Sequence, residues 1–344
     1  MIDWKDPKRT DVIHFKMVDP NNLDEVYGDI DLVQFDGTTI TYGYYTDTRY
    51  SSQITFLRDN NYVDNMWIRI IHEVPSENYV NELGTFIPTS PNVNYDGTVT
   101  KTFALQSPLW ALKSDYVTKS FTVAKNTSYL TAFKNACEKT NRAYILANPN
   151  DYKSQKGVVY EAGTSYLDVL MDLADASNNR VDIDGHGRLI FSPLEDFQTL
   201  TPSWELDVDD PRSMIVQGSV KMEPETEERP NRTIVINDKY VGVADLPDGE
   251  EYSASQRGYV LAKTYSVSSV KSNVQAKSLA QSYLDGFSKN TQWSMETLYF
   301  PAKCGDNVYF TIEGKRHICM IQSIDPVNLD TMTMSITLKE VSDG

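Results

Sequence analysis

Cysteine is scarce. Cys137, Cys304 and Cys319 are the only three in 344 residues, far apart and without a C-x-x-C spacing. An odd, dispersed set excludes a disulfide framework and a zinc site, fits a reducing compartment, and leaves each thiol as a small apolar filler. Histidine is nearly as rare, limited to His14, His72, His186 and His317. All but His186 fall in strand-like runs, where a hydrogen-bonded or surface histidine is the ordinary occupant. His72-Glu73 has no second histidine on its C-terminal side, which removes the zinc-protease reading. There is no Walker loop, G-x-S-x-G elbow or dinucleotide glycine fingerprint. No catalytic, cofactor-binding or metal-ligating residue is therefore nominated, no cofactor is expected, and the chain is expected not to be an enzyme.

Long apolar runs are missing too. None approaches the ~20 residues that span a bilayer. The start, Met1-Ile2-Asp3-Trp4-Lys5-Asp6-Pro7, lacks the basic-then-apolar order of a secretion signal, so export and membrane residence are not expected. Basic charge is in deficit: 32 Lys and Arg stand against 48 Asp and Glu, a net charge of −16. Nucleic acid held by tight phosphate contact is disfavoured at that sign. Nucleic acid that passes without sticking is not, because like charge repels it.

What is present is strand-forming. With 40% hydrophobic and 23% charged residues, large cores can form and global disorder is excluded. The length suits two or three domains. Tyr (21) and Phe (12), with Val, Ile and Thr in short alternating runs, are what half-buried sheets use. Ile13, Phe15 and Met17 alternate with polar neighbours. Asp36-Gly37 and Asp96-Gly97 each stand between strand-like runs and predict hairpins. Trp67 to Ile71 predicts a buried strand, and residues 1 to about 110 an antiparallel barrel or sandwich.

The pattern then changes. Tyr129, Leu130, Phe133, Ala136 and Cys137 recur at helical spacing. A second helix is predicted from Ser165, whose hydroxyl caps it with Asp168 at the third position, and Asn178-Asn179 offers a left-handed stop. Val181, Ile183, Leu189 and Phe191 predict a hairpin through Gly185-His186-Gly187, with Leu170 and Leu173 buried against it. Residues 116–197 thus form a small α+β domain. Strands return at Met214 to Lys221 and Thr233 to Asn237, around an acidic loop whose 223–228 stretch is expected to project outward. Val274 to Phe287 predicts a third helix. Asn307 to Ile312, Arg316 to Ile324 and Met332 to Val341 predict a closing meander, with a turn at Glu313-Gly314 and a loop through Asp325-Pro326.

One spacing invites a metal. Asp182, Asp184 and His186, followed by Gly187, mimic the first half of a calcium loop, but Pro193 stands where the bidentate Glu belongs; a hairpin turn is the better reading. A glycosidase needs two carboxylates across a cleft, and 48 acids in the sequence cannot single out a pair.

The order of elements carries a resemblance. Glu161 to Ala174, followed by Arg180 to Phe191, resembles the baseplate hub proteins of tailed phages, which place an L-x-x-L-x-x-L-A helix before a D-x-x-G-x-L-x-F hairpin. Leu279-Ala280 to Leu284, Tyr299-Phe300-Pro301, Gly305-Asp306-Asn307-Val308 and the strands through Leu338 are similar to the family's C-terminal part. Asn231 to Ile236 fits its re-entering strand. The resemblance spans nearly the whole chain and includes the N-terminal module of siphophage or prophage tail-associated lysins.

It implies an α+β, mainly β fold with two antiparallel, tail-tube-like β-barrels and a small α+β domain between them. Residues 1–115 would form the first barrel and 116–197 the middle domain. Residues 198–235 would return to the first barrel, and 236–344 would form a second hub domain with one helix and the meander. The implied function is structural: a homotrimer at the virion tail tip, assembled in the host cytoplasm, that joins a sixfold tail tube or distal tail ring to a threefold tip. Its implied partners are the distal tail or tube protein, the tape-measure protein C-terminus, spike or receptor-binding proteins, and DNA in transit only. Some of the negative charge would line the channel. The chain end at Gly344 fits a short hub or the front of a longer lysin. The alternatives are a carbohydrate- or receptor-binding tail module, and a cell-wall-active hydrolase.

Overall fold

Seven strands come first: β1 (Val12–Asp19), β2 (Asn22–Asp29), β3 (Val33–Gly43), β4 (Tyr50–Leu57), β5 (Trp67–Val74), β6 (Tyr79–Asn94) and β7 (Thr100–Gln106). The computed structural model describes every residue except 1, 7, 96, 198, 225–229, 238, 251, 268–271, 288–290 and 344. In β5 almost every residue is buried, because it lies between β1 and β6 and is covered on both faces. The middle of the chain follows with α1 (Pro108–Ser114), β8 (Phe121–Val123), α2 (Tyr129–Lys139), β9 (Tyr144–Leu146), β10 (Val158–Tyr160), α3 (Tyr166–Ala176), β11 (Asn179–Ile183) and β12 (Leu189–Pro193). The remainder comprises β13 (Trp204–Asp207), β14 (Lys221–Pro224), β15 (Arg232–Asn237), β16 (Tyr240–Asp245), α4 (Ala254–Arg257), β17 (Ala262–Ser266), α5 (Asn273–Phe287), β18 (Thr291–Leu298), β19 (Asn307–Ile312), β20 (Lys315–Asn328) and β21 (Thr333–Asp343).

The fold is mainly β with a smaller helical part, and no closed barrel is found among the described residues. Most strands form one 13-stranded sheet with the open order β14-β18-β21-β20-β3-β4-β7-β6-β5-β1-β2, and β19 joins β13 to β20. The join is the antiparallel pairing of β20 with β3, where Ile324 faces Tyr42 and Val327 faces Ile40. Because these two strands share a ladder, the first and last parts of the chain share a core.

Three further expectations change for local reasons. Asp36-Gly37 does not turn a hairpin. β3 runs through it as a bulge, with Gln34 opposite Thr55 and Thr39 opposite Gln53. Gly37, at φ +78°, supplies the kink, and the Thr38 hydroxyl closes it by donating to the Gln34 carbonyl at 2.7 Å. Asp325-Pro326 is not a loop either. β20 continues through a bulge between Ile324 and Val327, where proline has no N–H to give the ladder. Of the 214–221 run only Lys221 enters a strand, β14, although Ile215 bridges to Thr297. The Asp96-Gly97 hairpin joins β6 to β7, with residue 96 outside the described set. Glu313-Gly314 turns as expected, both residues at positive φ.

Among the described residues the strands of 198–235 find these partners. β13 pairs in parallel with β19, β14 pairs with β18, and β15 pairs with β16 and β17. Residues 236–344 also divide. β16, β15 and β17 form a separate sheet under α5, with its own core of Val235, Ala244, Leu246, Ala276, Ala280 and Leu284. The Phe287 side chain and most of the 223–228 acidic stretch lie outside the described residues.

In the middle segment the periodic helices form as the spacing dictates. Ser128 caps α2 by accepting from the Thr131 N–H, and Ser165 caps α3 by accepting from the Asp168 N–H while its hydroxyl bonds the Asp168 carboxylate. Asn178 takes φ +53° at the stop. β11 pairs with β12, and β9 adds in parallel on the far side. Phe133 of α2 stacks on Phe191 with ring centroids 4.1 Å apart. Leu170 and Leu173 have no exposed surface and share this core with Val181, Leu189 and Phe191. Truncating Leu170 or Leu173 to alanine is expected to cost about 2–5 kcal/mol through transfer and cavity terms. Urea unfolding of each variant against wild type measures it, and an unchanged midpoint would contradict this packing.

Candidate functional site

Period-2 alternation turns Val181, Ile183, Leu189 and Phe191 into the core and leaves Arg180, Asp182 and the turn at 184–187 to meet the N-terminal sheet. Inside the turn the Gly187 N–H donates to the Asp184 carbonyl at 3.0 Å. Arg188 grips the Asp184 carboxylate through its backbone N–H and its Nε, both at 2.8 Å. A Cβ on Gly185 would lie 2.1 Å from the Glu82 carbonyl oxygen, so only glycine lets the two backbones approach this closely. The Thr85 hydroxyl donates to the Gly185 carbonyl at 2.8 Å, and Tyr50 donates toward the Thr85 and Asp184 carbonyls. Arg69, 3% exposed, donates to the Thr85 hydroxyl and to the Leu23 and His186 carbonyls at 2.8–3.1 Å. His186 lies between Glu82 at 3.0 Å and Asp24 at 2.9 Å.

The calcium-like spacing is thereby resolved into separate pairs. Asp182 takes Arg180 at 2.9 Å, Asp184 takes Arg188, and His186 takes Glu82 and Asp24. The three groups do not converge on one point. No sequence motif announced this latch, because its other half comes from β2, β5 and β6, a hundred or more residues away.

A second junction binds the N-terminal segment. Arg9 donates to the Asp11 carboxylate at 3.0 Å, to the Trp4 carbonyl at 3.0 Å and to the Tyr299 carbonyl at 3.1 Å. Asp11 also holds the Nε2 of His72 at 2.6 Å, and that imidazole is fully buried. Tyr79 and Tyr299 meet the His72 ring edge-on, and Trp4 meets it tilted. Burial works to raise the Asp11 carboxyl, but the His72 hydrogen bond and the Arg9 guanidinium outweigh it and hold it below its ordinary 3.8. His14 and His317 pair with Glu73 and Glu340, at 3.0 and 2.8 Å. The three thiols are free, and burial pushes Cys137 and Cys304 up to about 12 and Cys319 upward as well.

Between the latch, β3 and the segment after β18 lies a cavity of about 220 Å³. Arg49, Arg180, Lys303, Glu82, Asp182 and Asp184 bring charge of both signs to its wall, and Cys304 lies beside them. Arg180 stacks over the Tyr44 ring at 3.5 Å, and Arg49 donates to the Val181 carbonyl at 2.8 Å.

Two outcomes test these junctions. Gly185→Ala should force the turn off β6 and cost about 1–3 kcal/mol, seen as an earlier urea midpoint and faster proteolysis at 184–188. For Asp11 the sign follows from its lowered folded value. Its contribution is complete above the unfolded 3.8 and disappears as pH falls through the lower folded value. Asp11→Asn should therefore be less stable at neutral pH, and the gap to wild type should close below about pH 3.8. A constant gap down to pH 2 would contradict the pairing.

No family model and no curated protein matches the sequence. Solved structures match in fold. The tail protein from Neisseria meningitidis MC58 superposes with a TM-score of 0.69 over 96% of this chain and 96% of its own, at 12% identity. The 43 kDa tail protein of prophage MuSo2 from Shewanella oneidensis gives 0.65 over 96% and 98%, also at 12% identity. The prophage tail protein gp18 from Listeria monocytogenes EGD-e gives 0.56 over 96% and 95%, at 11% identity. From end to end, this chain has the fold of phage and prophage tail proteins.

Proposed function

We propose that this chain is a structural protein of a phage or prophage tail and forms the trimeric hub of the tail tip. The observation that carries the reading is the end-to-end fold agreement with the Neisseria tail protein, 96% of each chain at a TM-score of 0.69. A shared short motif would not do this, since the agreement takes in the N-terminal strands, the middle hairpin and the C-terminal strands together. In this reading each copy contributes two β-rich wall segments, so three copies meet a sixfold tube or distal tail ring on one side and a threefold tip on the other. The tape-measure C-terminus and spike or receptor-binding proteins are its neighbours, and DNA passes through. The net charge of −16 suits such a passage. DNA carries one negative charge per ~1.7 Å, and an acidic wall repels it over a Debye length of ~8 Å.

The test has two arms. Light scattering on purified protein should give about 117 kDa, three copies of 39.0 kDa. Immunogold labelling of intact tails should mark the tip. Protein that stays monomeric at all concentrations and labels no tail overturns the reading. A positive glycan array would favour a carbohydrate-binding module, and clearing in a muralytic zymogram a hydrolase; a hub gives neither. A trimer whose bore carries net positive potential would remove the charge argument alone.

A further inference from the structure

A guanidinium without a partner lines a pocket on the far side of the hairpin turn. The pocket, of about 140 Å³, lies between the β1–β2 turn, the start of β5, the 141–143 segment after α2 and the turn at 186–188. Arg142 stands half-buried on its wall. Its Cζ lies 5.2 Å from the centroid of the Trp67 ring, which lines the pocket too. Among the described residues no oxygen accepts from the Arg142 side chain. Its Nε is sealed from solvent and unsatisfied, whereas the two terminal nitrogens are not sealed. A ligand oxygen can therefore reach the terminal pair. Burial pulls Arg142 below its ordinary 12.5, against a weaker opposing pull from Asp115. A half-buried cation with nothing to bond is costly, and an acceptor that entered here would recover that cost.

Charge and size narrow what that acceptor is. Arg188 adds a second guanidinium to the lining and is held by Asp184 at 2.8 Å. Asp24 is the single acid of the lining, and His186 holds it at 2.9 Å. Two guanidinium groups against one carboxylate reverse the balance of a chain with 32 Lys and Arg against 48 Asp and Glu. The pocket therefore suits one negative charge, that of a partner for Arg142. A dianion such as phosphate would bring a second charge beside Asp24, where it is repelled. A carboxylate brings only one, and its two oxygens match the planar fork of a guanidinium. Pro20, Leu23 and Ala143 add apolar surface next to the Trp67 ring. At the ~30 Å³ share of a water molecule, about 140 Å³ holds four or five heavy atoms. Acetate and the end of a glutamate side chain are of that size.

We propose that this pocket binds a single carboxylate, whose oxygens accept from the terminal nitrogens of Arg142 and whose carbon rests on the apolar part of the lining. Two sources share this chemistry: a free small acid, and an acidic side chain carried by another protein chain. The site goes beyond the tail reading and does not depend on it.

Thermal unfolding of the full chain with acetate or N-acetyl-glutamate α-amide tests it. The neutral controls are acetamide and N-acetyl-glutamine α-amide, all at constant ionic strength. An acid that binds should raise Tm saturably by about 1–2 °C, and its neutral amide should not. Arg142→Gln removes the charge and the fork and should weaken binding at least tenfold. If that variant fails to fold, the wild type still reports. Phenylglyoxal modifies accessible guanidinium groups, and a bound acid should slow its reaction at Arg142, read by mass spectrometry. An effect from acetate, alone or with the second acid, identifies a free acid as sufficient; an effect from N-acetyl-glutamate α-amide alone identifies an acidic side chain. Either supports the site. No saturable shift, equal shifts from an acid and its amide, undiminished binding by folded Arg142→Gln, or Arg142 reactivity unchanged by saturating acid overturns it.

Discussion

The buried guanidinium of Arg69 is the constraint around which the N-terminal sheet and the middle hairpin are arranged. Taking a charge out of water costs several kcal/mol unless hydrogen bonds replace the lost solvent. Here the replacements come from separate segments: the Thr85 hydroxyl on β6, the Leu23 carbonyl on β2 and the His186 carbonyl in the hairpin turn, with Glu82 at 3.4 Å. Removing any one leaves a buried donor unsatisfied, so the segments are held as a set. Gly185 makes the set possible by letting the turn rest on the Glu82 backbone.

The same logic recurs where Arg9, Asp11 and His72 tie the N-terminal segment to Tyr299. Apolar burial makes the molecule compact, whereas these polar junctions specify how its parts sit. Junctions of this kind favour one arrangement over near alternatives. The cavity between the two junctions is bounded by all three parts of the chain.

Much of the local structure was legible from residue order. The Ser165–Asp168 cap, the Asn178 stop, the inward set Val181, Ile183, Leu189 and Phe191, and the Glu313-Gly314 turn follow from periodicity and turn chemistry within a few residues. The fold-level likeness to tail proteins was legible too, through the succession of the 161–174 helix, the 180–191 hairpin and the C-terminal strands. The candidate site was not. Its halves lie as far apart as Glu82 and His186 or Arg9 and Tyr299, and each residue alone looks like an ordinary surface charge or strand histidine.

Short-range pattern therefore assigned most elements and the faces they bury, because φ preference and side-chain period act over neighbouring residues. Strand partnership depended on the folded whole. Asp36-Gly37 carries a hairpin's chemistry, yet β3 runs on, because its ladder partners are β4 and β20. Asp325-Pro326 carries a loop's chemistry, yet β20 continues to reach β3. Turn residues permit a reversal; whether the chain reverses or bulges depends on which distant strand offers hydrogen bonds and an apolar face. That competition between non-local partners set the order of the 13-stranded sheet, which local patterns do not determine.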